Sequence, residues 1–393
     1  MGCFILIFTT PFWGDEIIYH YPTTANISFP NIIHNSPSYN SAYTPLPYIL
    51  GSLIYKINNS LYALRLLNYV IFLFLIYFLY KISLNFRSDP FTLLLLLICN
   101  PYLLKSSFTY HMTNYGLLFA IIGIYIYFFS QKKHKMILAH FFWGISVLCQ
   151  QWMLIIIFSI FLNETYLFIV KKIEKNYFIK NTIYKLLFLL PSIILFILWN
   201  GLTHPNFHKH ELIPTFDHFT GTLANFGIAG IFILLFNFKN YLKIQYLPIV
   251  YLLPVLFLTT PSHSEHLSIN AITGVASQLS VYLQKYFSLP YKVNMFFLAT
   301  IGMITVVAII SNSKNNFSHF LKYTILGLLA AFTSSELLGA SHIFIAFPFL
   351  FLAFESDLNK KKLLENLLSI FFFLMSSFYV IYFSLYKAVG INL

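Results

Sequence analysis

Residues 61–80 read LYALRLLNYVIFLFLIYFLY, a run of twenty residues with a single charge at Arg65. A helix that crosses a membrane needs about 20 mainly apolar residues, so this run predicts a membrane-spanning helix. The whole chain has the same character, because it is 58% hydrophobic and only 9% charged, with a mean hydropathy of +0.74. A soluble domain carries about 25% charged residues. The sequence therefore predicts an integral membrane protein.

Further apolar runs follow the same pattern along the chain. They fall at 3–13, 91–104, 115–130, 137–150, 152–170, 183–200, 223–238, 244–260, 293–311, 318–334, 341–355 and 366–386. Some are shorter than a full span, so we expect about 11–13 helices in total. The predicted fold is an all-α, polytopic transmembrane helix bundle that forms one domain over residues 1–393.

The basic residues divide unevenly between alternate loops. Seventeen of the 24 Lys and Arg fall in one set of loops and seven in the other. By the positive-inside rule the richer set is cytoplasmic, which explains the net charge of +12 without a nucleic-acid partner. The seven on the opposite face, here called the outer face, are Lys56, Arg65, Lys105, Lys209, Lys285, Lys292 and Lys387.

The outer face also receives most of the groups that can do chemistry. Ten of the 13 histidines and six of the 12 acids fall there, as do the long loops 14–60, 201–222 and 261–292. Long loops in compact proteins are usually functional, so we expect the outer face to be the working face. Segments 17–28 and 46–57 are interpreted as short amphipathic helices at the membrane interface.

Asp15 and Glu16 stand side by side at the start of the first outer loop. Carboxylates at a membrane edge are costly unless something requires them. One interpretation is a general base, because a fixed carboxylate can take a proton from a hydroxyl within hydrogen-bond reach. The other is a helix-capping or interfacial acid pair. Later in the loop, Pro45 and Pro47 fix the backbone, so segment 39–48 is either a substrate-lining loop or an entry turn before a helix.

Four segments carry a resemblance to a known family. They are DEIIYHYP at 15–22, SAYTPLPY at 41–48, NPY at 100–102 followed by YHMTN at 110–114, and LCQQW at 148–152. Together they resemble the GT-C superfamily of membrane glycosyltransferases, in particular the dolichyl-phosphate-glucose α-1,2-glucosyltransferase family and bacterial relatives. The resemblance covers most of the first 170 residues. Relatives often carry Asp where this chain has Asn114, and Arg near the position of Gln150.

The resemblance implies transfer of a hexose from a polyprenyl- or dolichyl-phosphate sugar to a lipid-linked glycan or another acceptor. Asp15, with Glu16 beside it, would deprotonate the acceptor hydroxyl. One direct displacement at the anomeric carbon would invert its configuration, by the logic of single-displacement glycosidases. The residues predicted to bind substrate are His20, Tyr43, Thr44, Arg65, His111, Asn114 and His342.

The departing lipid phosphate needs positive charge or hydrogen-bond donors. The outer-face candidates for this role are Arg65, Lys105, His111, Lys209 and His342. Two of them have a plain alternative. Arg65 can be an interfacial residue that extends its charge toward water, and His342 can be an ordinary histidine at a helix end.

Further titratable groups fall in two outer loops and in one apolar run. His204, His208, His210, Glu211, Asp217 and His218 lie in 201–222, and His263, Glu265 and His266 lie in 261–292. Such groups can bind zinc, but neither loop has a closed motif such as His-Glu-x-x-His. We predict no metal site and no firmly implied cofactor, and a divalent ion is the less favoured alternative. Glu164, near Lys171 and Lys172, is interpreted as an acid at the inner edge of its helix.

Two other classes of function stay open. A multi-pass transporter or lipid flippase would explain the helices without transfer chemistry, although transporters usually hold ionisable groups near the membrane midplane in repeated halves. A membrane scaffold would need neither acid. The predicted partners are the lipid-phosphate sugar donor, the acceptor and membrane lipid. The bacterial inner membrane is the favoured location, with the ER membrane as the alternative.

Overall fold

In the computed structural model of the chain, residues 7–10, 12, 15–34, 36–85, 101–206, 216–241, 247–262, 275–311, 315–334 and 345–354 are described. Every regular element within these residues is a helix, which confirms the predicted all-α class. The chain divides into two compact units. The first is described here up to residue 206 and the second from residue 216. The single domain over 1–393 stays a prediction.

The first unit opens with a π-helical turn, Glu16–His20, that runs directly into α1 (Tyr21–Ala25). The next helices are α2 (Phe29–Ile33), α3 (Leu46–Ile57), α4 (Leu61–Ser83), α5 (Pro101–Phe108), α6 (Thr113–Phe129), α7 (Lys135–Cys149), α8 (Leu154–Ile169) and α9 (Lys175–Trp199). A short 3₁₀ turn, Gln151–Met153, precedes α8. The helix predicted over 46–57 is therefore present with the predicted bounds.

Local sequence explains where the helices next to the first outer loop begin. Pro45 and Pro47 lie at the start of α3, where a proline costs no hydrogen bond because the first helical N–H groups lack partners. Ser60 precedes α4, and its side chain accepts a hydrogen bond from the Tyr62 N–H at 3.2 Å. A serine in this position stabilises a helix start by satisfying one of those N–H groups.

Four described helices are long and apolar enough to cross a membrane, namely Leu61–Ser83, Gln151–Ile169, Lys175–Trp199 and Tyr291–Ser311. They support a membrane protein with several spans, while the total of about 11–13 helices stays a prediction. Helix α9 begins before the predicted run 183–200. Lys180, which the charge pattern counted with the cytoplasmic loops, therefore lies within a helix, as does Lys185 inside the predicted run. The excess of basic residues on that side persists without them.

The described part of loop 14–60, here called the first outer segment, packs onto the helices of the first unit through buried aromatic residues. Tyr39, Tyr48 and Tyr110 are fully buried in one core with Trp199 from the end of α9. The Trp199 indole N–H donates to the Ile32 carbonyl oxygen at 2.7 Å. Buried aromatic side chains supply large apolar contact areas, and a buried indole usually finds a hydrogen-bond partner. This packing fixes the residues that precede α4 against the rest of the unit.

The second unit contains α10 (Phe216–Tyr241), α11 (Leu247–Leu258), α12 (Val275–Phe287), α13 (Tyr291–Ser311), α14 (Asn316–Thr333) and α15 (Ala346–Phe354). Helices α10 and α13 approach each other at glycines. A Cβ added at Gly227 would overlap the Leu298 carbonyl oxygen, and one added at Gly302 would overlap the Leu223 carbonyl oxygen. Small residues at a crossing let two backbones come this close, as is common between membrane helices.

The crossing of α10 and α13 can be tested with Gly227→Ala. The new methyl group would overlap a backbone oxygen, so the helices must separate, and overpacking of this kind costs roughly 1–3 kcal/mol. We expect a lower thermal unfolding temperature of the purified protein in detergent. Gly201→Ala is the control, because no atom lies within 4 Å of a Cβ added there. Equal unfolding temperatures for the two variants would contradict the crossing.

Candidate active site around a buried ion pair

Glu16 and Arg65 form a fully buried, two-point ion pair. The Arg65 Nε donates to Glu16 Oε1 at 2.8 Å, and Nη2 donates to Oε2 at 2.5 Å, with both side chains 0% exposed. Buried charges are stable only when they are paired and hydrogen-bonded. The alternative in which Arg65 extends its charge toward the membrane surface is therefore wrong.

Further hydrogen bonds tie the pair to two other parts of the chain. The Arg65 Nη1 group donates to the carbonyl oxygens of Ile7 at 3.1 Å and Thr10 at 2.8 Å. Glu16 Oε1 also accepts from the backbone N–H of Tyr110 at 2.6 Å. The pair thus joins the N-terminal segment, the π-helical turn, α4 and the stretch after α5 at one point.

The two acids of the predicted catalytic pair occupy different environments. Asp15 is half-buried, whereas Glu16 is fully buried. Asp15 precedes the π-helical turn but makes no side-chain capping hydrogen bond to it, so the structure gives no support to the helix-capping interpretation. π-Helical turns are rare and frequently found at functional sites. Of these two residues, only Asp15 has surface that a substrate can reach.

Three of the predicted substrate-binding residues come together next to the acidic pair. The rings of His20 and Tyr43 have centroids 5.6 Å apart, and those of Tyr43 and His111 are 6.5 Å apart. His20 is buried, and its Nδ1 is hydrogen-bonded to the Tyr48 hydroxyl at 2.9 Å. Burial lowers the pKa of His20 to about 3. Its imidazole is therefore neutral at physiological pH and can hydrogen-bond but cannot supply positive charge.

Thr44 and Asn114, also predicted to bind substrate, hold the framework of the site. The buried Thr44 hydroxyl donates to the Val147 carbonyl oxygen at 2.9 Å. The buried Asn114 Nδ2 donates to the Ser106 carbonyl oxygen at 2.8 Å and to Asn68 Oδ1 at 3.2 Å. These bonds fix the first outer segment on α7 and the start of α6 on the end of α5.

Asn68, which was not predicted from the sequence, fixes the backbone of residues 106–109, just before Tyr110. Its Nδ2 donates to the carbonyl oxygens of Ser106 and Thr109, both at 2.6 Å. A sequence signal was present, because Asn68 follows Arg65 by three residues inside an apolar run, and residues at that spacing share one face of a helix. Both side chains are buried.

The side-chain amides of the 148–152 segment bond to two other segments that the sequence singled out, 41–48 and 110–114. Gln151 Nε2 donates to the Ala42 carbonyl oxygen at 2.6 Å, and Gln150 Nε2 donates to the Thr113 hydroxyl at 3.3 Å. Two segments singled out by the sequence, far apart along the chain, are therefore in direct contact. Both glutamines are buried. Gln151 fixes the first outer loop at Ala42, and Gln150 bonds to the start of α6.

Several predicted groups lie outside the described residues. They are His342, Lys209, His208, His210, Glu211, His263, Glu265 and His266, and for Lys105 only the backbone is described. His204 is described and buried, and its Nε2 lies 3.1 Å from the His34 carbonyl oxygen. Among the described residues no group of three His, Cys, Asp or Glu side chains could hold a metal ion.

Glu164 is part of a second buried ion pair, with Lys185 of α9. It also accepts hydrogen bonds from the Tyr127 hydroxyl at 2.6 Å and from Asn181 Nδ2 at 3.1 Å. Glu164 is fully buried, and its position at the inner edge of its helix stays a prediction. The pairing with Lys185 was not visible in the sequence, because it depends on the packing of α8 against α9.

The Asn114 hydrogen bonds predict the effect of an aspartate at this position. In Asn114→Asp a carboxyl group replaces the amide donor. Asn68 Oδ1 then loses the hydrogen bond that it accepts, while the Ser106 carbonyl oxygen keeps the one from Asn68 Nδ2. A buried acceptor that loses its donor costs about 1–3 kcal/mol, so we expect a lower thermal unfolding temperature. Asn26→Asp is the control, since its Nδ2 donates to a backbone carbonyl at an exposed position. If both variants unfold at the wild-type temperature, the buried amide network does not stabilise the site.

Comparisons with known proteins give no relative of this chain. No family model matches it, and no match is found among the curated proteins or the solved structures. The family resemblance carried by segments 15–22, 41–48, 100–102, 110–114 and 148–152 therefore stays a prediction.

Proposed function

We propose that the protein is a membrane glycosyltransferase that moves a hexose from a polyprenyl- or dolichyl-phosphate sugar to a lipid-linked glycan or another acceptor. The observation that carries the proposal is the difference in environment between the two adjacent acids. Glu16 is fixed by Arg65 and by the Tyr110 N–H, while the adjacent Asp15 is half-buried. Proton abstraction requires a base that is fixed in position and that the substrate can reach. Asp15 meets both conditions, because its neighbour Glu16 is rigidly held and Asp15 itself is partly exposed.

In this proposal Asp15 takes the proton of the acceptor hydroxyl. The acceptor oxygen forms a bond to the anomeric carbon of the donor sugar, and the bond from that carbon to the phosphate oxygen breaks. The lipid phosphate leaves with the electron pair. Because a single displacement occurs, the configuration at the anomeric carbon inverts.

Glu16 takes a positioning role in this scheme, in place of the catalytic role that the sequence suggested. Both of its carboxylate oxygens accept hydrogen bonds from Arg65, and one also accepts from Tyr110. Two-point, charge-assisted hydrogen bonds of this kind are strong and geometrically specific. Glu16 thereby fixes the backbone of the turn that presents Asp15.

The leaving phosphate must find its positive charge in a group other than Arg65. The guanidinium donates to Glu16 and to the carbonyls of Ile7 and Thr10, and releasing it would leave Glu16 buried and uncompensated. His20 is neutral. His111 lies beside Tyr43 and is the described candidate for donating a hydrogen bond to the phosphate, with Lys105, Lys209 and His342 as the other candidates from the sequence.

An aromatic side chain next to the base supports a sugar as the substrate. Tyr43 is half-buried between the rings of His20 and His111. Aromatic rings present a flat apolar face with a polar edge, which suits the mixed surface of a sugar ring. In this proposal Tyr43 contacts the hexose or the acceptor near Asp15. The proposed location is a membrane, with the bacterial inner membrane favoured over the ER.

The proposed base is tested by Asp15→Asn in proteoliposomes that receive defined polyprenyl-phosphate hexoses. General-base catalysis typically contributes 10²–10⁴-fold, so we expect transfer to fall by about that factor while the thermal unfolding temperature stays near the wild-type value. Product analysis should show the inverted anomer for the wild type. Asp217→Asn, which changes an exposed outer-face acid in the first turn of α10, should retain transfer. Full activity of Asp15→Asn would exclude Asp15 as the base.

A second candidate function, a transporter or lipid flippase, is favoured by the Glu164–Lys185 pair. Ionisable side chains inside membrane spans often mark a substrate or proton pathway, and both residues lie within candidate spans. The same proteoliposomes distinguish the two functions. Movement of the lipid-linked sugar across the bilayer that persists in Asp15→Asn but is lost in Glu164→Gln, without formation of a glycosylated product, would support the second candidate.

A further inference from the structure

The turn between α12 and α13 presents an exposed apolar and basic corner. It consists here of Lys285, Tyr286, Phe287, Leu289 and Lys292. Tyr286 is 66% exposed, Phe287 70% and Leu289 44%. In a chain that spans a membrane, exposed apolar side chains contact lipid, and aromatic residues beside lysines are typical of the membrane interface. The corner therefore indicates a contact surface for the interface.

The backbone holds this corner in a fixed shape. Ser288 has φ 56°, a left-handed conformation that side chains with a Cβ disfavour. The Leu289 N–H donates to the Leu283 carbonyl oxygen at 3.3 Å, and Asn294 Nδ2 donates to the Leu289 carbonyl oxygen at 3.1 Å. A left-handed residue directly after a helix is a common way for the helix to end, and the two hydrogen bonds hold the turn that follows. The turn keeps Phe287 and Leu289 directed outward.

Two lysines flank the exposed side chains, and each lies over an aromatic ring. The Lys285 Nζ is 5.4 Å from the Tyr286 ring centroid, and the Lys292 Nζ is 4.8 Å from the Phe257 ring centroid. Within the described part of the chain neither lysine forms an ion pair with a carboxylate. The positive-inside rule depletes lysine from the outer face, so two lysines at one outer corner require a reason.

We propose that this corner docks on anionic phospholipid of the outer leaflet. Phe287 and Leu289 enter the boundary between headgroups and acyl chains, and the ammonium groups of Lys285 and Lys292 contact the lipid phosphate. Aromatic side chains next to lysines are typical of the membrane interface, and each basic residue near an anionic surface strengthens binding. Charge complementarity therefore selects an anionic lipid over a neutral one. This inference is independent of the proposed transfer reaction.

The proposal is tested by native mass spectrometry of the purified, detergent-solubilised protein titrated with phosphatidylglycerol or phosphatidylcholine. We expect the wild type to bind phosphatidylglycerol more tightly. Lys285→Gln with Lys292→Gln should remove that preference, with a loss of about fivefold in affinity for each lysine. Phe287→Ser should weaken binding of both lipids. Millimolar inorganic phosphate should not compete, because the apolar contacts require a lipid.

Lys322→Gln is the matched control, since the Lys322 Nζ lies 5.5 Å from the Tyr323 ring centroid in the same unit. The exposed positions of Lys285 and Phe287 favour normal folding of the variants, and thermal unfolding verifies it. An unchanged preference in the double lysine variant would overturn the proposal, as would an equal loss in Lys322→Gln or competition by phosphate. A protein dimer that Phe287→Ser abolishes would instead identify a second copy of the chain as the occupant.

Discussion

The buried pair of Glu16 and Arg65 is the interaction on which the described candidate site depends. Neither charge has water to stabilise it, so each requires the other and the additional hydrogen bonds from the backbone. Those bonds reach the N-terminal segment at Ile7 and Thr10 and the stretch after α5 at Tyr110. A requirement of electrostatics thus fixes the position of the turn that carries Asp15, and with it the placement of the aromatic and histidine side chains around it.

Much of the fold could be predicted from the sequence because apolar runs of helical length are a local property. The helices over 46–57 and 61–80 follow from composition, prolines and a capping serine. The acidic pair was visible for the same reason, as an exception to composition. The partners of the buried charges were not visible in the sequence. Arg65 pairs with Glu16, and Lys185 pairs with Glu164, only because separate helices pack together. Sequence spacing does not determine which helices become neighbours.

For the predicted site residues, the sequence also could not show which side chains contact one another. His20, Tyr43 and His111 were each predicted to bind substrate, and the Tyr43 ring lies next to both histidine rings. Thr44 and Asn114 were predicted to meet substrate, yet the Thr44 hydroxyl and Asn114 Nδ2 donate to backbone carbonyls and to Asn68. Residues of the same chemical type serve either as ligand contacts or as framework, and only the positions of their partners distinguish the two. In the proposed enzyme Asp15 remains the base, and a group other than Arg65 binds the leaving phosphate.

The central claim, that Glu16 and Arg65 act as one buried unit, is tested most directly by a double-mutant cycle. Thermodynamic stability is measured for the wild type, Glu16→Gln, Arg65→Met and the double variant. Breaking a buried pair by removing one partner typically costs about 3–5 kcal/mol, so each single variant should be strongly destabilised. The double variant should be less destabilised than the sum of the two, by at least about 1 kcal/mol. Additivity within about 0.5 kcal/mol would contradict the account.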